Sequence, residues 1–105
     1  MRAAESKKAT GIKVLDLRPV TSFADYFMLC DGTNSRQVQA IAEEVVKVMK
    51  EAGEQPLSVE GFPNAEWILL DFADLVVHVF SAKSRQFYDL DRLWRDAPAV
   101  PIPAA

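Results

Sequence analysis

Four aspartates crowd two short stretches of this chain. Asp71 and Asp74 lie in Glu66-Trp67-Ile68-Leu69-Leu70-Asp71-Phe72-Ala73-Asp74-Leu75-Val76-Val77-His78-Val79-Phe80, and Asp89 and Asp91 in Phe87-Tyr88-Asp89-Leu90-Asp91-Arg92-Leu93-Trp94. Carboxylates on adjacent strand ends can hold magnesium in enzymes that transfer nucleotides. Gly32-Thr33-Asn34-Ser35 opens a helix, where backbone amides can receive a phosphate. Together these parts make one candidate chemistry, a magnesium-dependent nucleotidyltransferase using Gly32, Ser35, Asp71 and Asp74. Each part also has a plainer explanation. The turn holds a single glycine and no Lys-Ser or Lys-Thr follows, so a helix N-cap accounts for it. Asp71 and Asp74 bracket a hairpin turn, where aspartate favours local hydrogen bonds. Asp89 and Asp91 are two apart in a helical stretch and do not share a face.

The only histidine, His78, and the only cysteine, Cys30, add little catalytic promise. A metal site needs several ligands of suitable type, and no nucleophile motif surrounds Cys30 or the serines. No cofactor or metal is expected. On a face-alternating strand His78 sides with Val76 and Phe80, as a packed or interface residue. Trp67 sides with Leu69 and Asp71, while Ile68, Leu70 and Phe72 point the other way. Both faces of the hairpin are therefore largely apolar. Either both are covered within the monomer or one meets a partner. Trp67 is correspondingly either core or a binding anchor.

The elements that must position these residues follow from pattern. Ile12 to Leu17 and Ala24 to Cys30 read as strands, the second apolar enough to be buried on both faces. Val38, Ile41, Ala42, Val45, Val48, Met49 and Ala52 recur at helical steps, with Asn34 or Ser35 as cap and Gly53 at the C-terminal end. Leu57 to Glu60 is a short strand. Trp67 to Phe72 and Leu75 to Phe80 are so close that they must form an antiparallel hairpin. Lys83 to Trp94 forms a second helix. This β-β-α-β-β-β-α order predicts an α/β fold: a mixed sheet of about five strands with flanking helices, partly parallel because a helical crossover joins two strands.

The 105 residues suit one domain, expected over residues 1–97, with a disordered proline-broken tail at 98–105. No apolar run is long enough to span a bilayer. The first ten residues are polar, without a signal-peptide core. With one cysteine, no internal disulfide can form, and cytoplasm is the expected compartment. A net charge of −3 argues against direct nucleic-acid binding and is compatible with a basic protein partner.

Several motifs in order and spacing resemble the ribosomal silencing factor family, also called iojap-like. These are Ala24-Asp25-Tyr26-Phe27; Gly32-Thr33-x-Ser35-Arg36-Gln37-Val38-x-Ala40-Ile41-Ala42; Glu60-Gly61; the Trp67–Phe80 run, less its Ala73; and Arg85-Gln86-Phe87-Tyr88-Asp89-Leu90-Asp91-Arg92-Leu93-Trp94. The resemblance runs from about Lys8 to Ala97. It implies a nucleotidyltransferase-like fold without that activity. It also implies a translation repressor that binds the large ribosomal subunit through its protein L fourteen, blocks joining of the small subunit, and is a homodimer when free. By the same resemblance Trp67 is the partner-binding anchor, with Leu69 and His78 flanking it and Tyr88 in support. Asp71 and Asp74 would meet basic groups of the ribosomal protein. Three features depart from the family: a short segment before the first strand, Ala73 in place of a turn glycine, and Lys83 where an acidic residue is common.

Overall fold

The computed structural model describes residues 9–20, 24–89, 92 and 97–99; for Thr10, Phe87 and Tyr88 it describes the backbone alone. Five strands form one sheet: β1 (Thr10–Asp16), β2 (Tyr26–Gly32), β3 (Ser58–Glu60), β4 (Trp67–Asp71) and β5 (Leu75–Ser81), in the spatial order β1-β2-β5-β4-β3. The β2–β5 pair is parallel and the other three pairs are antiparallel. The mixed sheet is thus as the element order predicts.

Helix α1 (Ser35–Glu51) is the crossover from β2 to β3. Asn34 caps it: its side chain accepts the Gln37 N–H at 2.9 Å. Val38, Ile41, Ala42 and Val45 are its buried positions. Val48, which shares their spacing, is 40% exposed, although Met49 one residue later still packs against the core. Gly53, at φ 88°, donates its N–H to the Lys50 carbonyl and ends the helix in the left-handed turn that glycine favours.

Helix α2 (Ala82–Tyr88) starts at Ser81, whose hydroxyl accepts the Ser84 N–H. It is shorter than the Lys83–Trp94 helix expected from the sequence. Asp89 takes a left-handed conformation at φ 49° and closes the helix with an N–H bond to the Arg85 carbonyl. Asp91 and Trp94 lie outside the described residues.

Strand alternation divides the core between the two faces. Toward α1 lie Met28, Cys30, Ile68, Leu70, Val77 and Val79; on the other face lie Leu15, Phe27, Leu29, Val76 and Phe80, closed over by Leu17, Ala24 and Ala97. Near its end the chain returns to β1. The Asp16 N–H bonds to the Pro98 carbonyl at 2.9 Å, and Ala99 bridges Leu15. Pro98 and Ala99, which fall in the stretch expected to be a disordered tail, thus have backbone contacts with the free edge of β1. The remainder of that tail lies outside the described residues. Arg85 ties α2 to the same side of the sheet through the Gly11 carbonyl and the Asp31 carboxylate. No described helix is long and apolar enough to cross a membrane.

Candidate functional site

The antiparallel register sets Trp67 opposite Phe80 and Leu69 opposite His78, all on the face away from α1. Direct and diagonal neighbours across such a pair lie within reach of large side chains. Trp67 stacks on Phe80, with ring centroids 5.3 Å apart, and leans over His78 at 5.8 Å. Phe27, from β2, meets His78 edge-on at 4.6 Å. The indole Nε1–H of Trp67 donates to His78 Nδ1 at 3.0 Å. That bond makes Nδ1 the acceptor and puts the imidazole proton on Nε2. Among the described residues His78 Nε2 has no hydrogen-bond partner. Burial without a neighbouring charge pushes the His78 pKa down to about 4, so the ring is neutral at physiological pH.

The residues singled out from sequence thus divide. Trp67 and Leu69 are half-buried and lie two apart on the same face of β4. His78 is only 4% exposed and does not reach the surface beside them; it lies beneath Trp67, because three rings close over it. The Tyr88 side chain lies outside the described residues. Asp71 is on the Trp67 face but four residues along β4, which is about 13 Å away. Asp74 is exposed in the β4–β5 turn.

That turn is tight. Asp71 Oδ1 accepts the Ala73 N–H at 2.8 Å, and the Asp74 N–H bonds to the Phe72 carbonyl at 3.0 Å. Ala73 is held at φ 72°, so the turn uses the left-handed conformation that a glycine would adopt more readily. Asp25 completes the acidic end. Its N–H and that of Tyr26 both bond to the Asp74 carbonyl, and Asp25, Asp71 and Asp74 line one cleft of about 330 Å³ with Leu57 and Val76. Asp25 was missed in the sequence. Its nearness to Asp74 depends on the parallel register Tyr26↔Leu75, which no local pattern reveals.

The parts of the alternative nucleotide-transferring site do not meet. In the β2–β5 register, Gly32 pairs with Ser81 and Tyr26 with Leu75, so Gly32 and Asp74 lie at opposite ends of the sheet, about 20 Å apart. No three His, Cys, Asp or Glu side chains among the described residues are grouped to hold a metal ion. At Gly32 the helix start is already occupied: Gln37 Oε1 accepts from both the Thr33 N–H and hydroxyl, and Asn34 takes the Gln37 N–H. Burial pushes the Cys30 thiol up to about 12, which leaves it protonated and a poor nucleophile.

Near Trp67 a small polar network was also not read from sequence. Glu66 Oε2 accepts from the Ser84 hydroxyl at 2.7 Å and the Ser81 hydroxyl at 3.1 Å, which holds the Glu66 carboxyl below its ordinary pKa. It ties the residue before Trp67 to the first turn of α2. Ser81-x-x-Ser84 at a strand-to-helix junction was the available signal.

Over residues 1–105 the chain matches the model of a family described as ribosomal silencing factor during starvation, RsfS. It is similar to a Bacillus subtilis protein named ribosomal silencing factor RsfS, with 45% identity over 100 residues, covering 95% of this chain and 85% of that one. A mouse protein named mitochondrial assembly of ribosomal large subunit protein 1 is 29% identical over 91 residues, covering 84% of this chain and 40% of that one. The fold is similar to the crystal structure of a Chromobacterium violaceum protein, with a TM-score of 0.87 and 36% identity over 99% of this chain and 88% of that one.

Proposed function

Because the chain belongs to the ribosomal silencing factor family, whose members regulate translation on the ribosome, we propose that it represses translation by binding the large ribosomal subunit through protein L fourteen and blocking the small subunit from joining. The observation that carries this reading is Trp67: a large ring, half-exposed on a sheet face, stacked and hydrogen-bonded in place with Leu69 beside it. Tryptophans in such settings are frequent hot spots of protein interfaces. The acidic cleft of Asp25, Asp71 and Asp74 lies at the far end of the same hairpin and suits basic side chains of a ribosomal protein. The mouse relative's name, which refers to the ribosomal large subunit, supports the choice of subunit.

The same proposal covers the rest of the reading. The chain acts in the cytoplasm as a non-enzymatic, cofactor-free repressor. It is a homodimer when free. Its sheet is a nucleotidyltransferase-like scaffold put to binding, with Tyr88 supporting the anchor.

Co-sedimentation with purified large subunits tests it. Trp67→Ala should weaken binding by more than about 1 kcal/mol, or about fivefold. Unchanged affinity in a folded variant would remove Trp67 from the interface. Failure of the wild-type chain to sediment with large subunits would remove the partner.

A further inference from the structure

A half-exposed tryptophan gains most as an anchor when its ring is already held in the docking orientation, since ordering a large side chain on binding is costly. Here one contact fixes both the tilt and the direction of the ring. The Nε1–H of Trp67 points to Nδ1 of a histidine that is itself almost wholly enclosed by Phe27, Phe80 and Trp67. The enclosure matters because a surface histidine could swing away and take the indole with it. We propose that His78 is a positioning residue for Trp67. Its Nδ1 holds the indole in the orientation in which the partner protein receives it, and His78 itself touches no partner. This rests on the reading of Trp67 as the partner-facing anchor.

The chemistry of the receiving pocket follows. With the N–H turned inward, Trp67 presents hydrocarbon to the partner. The pocket that takes it is apolar and supplies no carbonyl or carboxylate to the indole.

The test uses two amides that differ only in where their oxygen lies. In His78→Asn the oxygen is bonded to Cγ, as Nδ1 is in histidine. In His78→Gln it lies one bond farther out. His78→Phe removes the acceptor while keeping a ring. Binding of each full-length variant to purified large subunits is measured alongside the Trp67 indole N–H resonance and its hydrogen exchange. His78→Asn should stay within twofold of wild type and keep the resonance protected. His78→Gln and His78→Phe should bind two- to tenfold more weakly, with faster indole exchange. If His78→Phe does not fold, the amide pair decides: equal affinities for folded Asn and Gln variants overturn the proposal. If His78→Gln and His78→Phe bind like wild type while Trp67→Ala does not, the anchor stands and the positioning role falls. If Trp67→Ala also binds normally, both fall.

Discussion

Burial of His78 has a thermodynamic signature that can be measured without any partner. Replacing it with Phe keeps a ring in the aromatic stack but removes the titrating group. In the folded chain the pKa of His78 is about 4, against 6.5 as the ordinary value. Between these values the unfolded chain takes up a proton that the folded chain refuses. Stability therefore rises with pH across this window. The contribution is fully present above about pH 6.5 and is lost as pH falls toward 4. The full difference of about 2.5 pKa units corresponds to about 3 kcal/mol, of which about 2 kcal/mol is gone by pH 5. Because the side chain is 4% exposed, solvent screening takes little from this figure. His78 is the only histidine, so no other imidazole titrates in the window. Urea unfolding at a series of pH values from 7.5 to 5 gives the free energy for wild type and His78→Phe, with the slope against urea checked for constancy. The advantage of wild type over the variant should shrink by about 2 kcal/mol across that range. Parallel pH curves for the two proteins would refute the reasoning, since they would mean that His78 takes its proton as readily in the fold as out of it.

Other perturbations follow from the backbone and from α2. Ala73→Gly relieves the left-handed strain at φ 72° and should stabilise the fold by up to about 1 kcal/mol after the added chain entropy, read as a rise in urea midpoint. At Gly61, φ 79°, a methyl group would run into the Trp67 carbonyl, so Gly61→Ala should cost more than about 2 kcal/mol in the same assay. Arg85→Met removes the guanidinium that joins α2 to Gly11 and Asp31, and should lower stability by about 1–3 kcal/mol, measured by thermal unfolding.

Much of this architecture can be read from side-chain period alone. Val38, Ile41, Ala42 and Val45 mark the buried face of α1, and the short link between Asp71 and Leu75 admits only a hairpin. What period cannot supply is contact between strands distant in the chain. Asp25 joins Asp74 only through the parallel register, and Gly32 is separated from Asp74 by that same register. Alternation groups His78 with Val76 and Phe80, yet says nothing of how far the indole of Trp67 reaches over a neighbouring strand. A residue expected beside Trp67 is instead found under it. The end of α2 was missed for a different reason. Asp89 adopts a left-handed conformation, which an aspartate tolerates without announcing it in the sequence.

The parallel pairing of β2 with β5 also sets an order of events during folding. Trp67 meets Phe80 and His78 through a hairpin whose contacts span few residues, whereas Tyr26 must find Leu75 across about fifty. Short loops close at lower entropic cost than long ones, so the ring cluster on the β4–β5 hairpin can assemble before the sheet is joined through its middle. A nascent chain reaches that point only after β5 has left the ribosome. Until then β2, apolar on both faces, has neither its parallel neighbour nor the hairpin beyond it, and its exposure is longest when synthesis is slow.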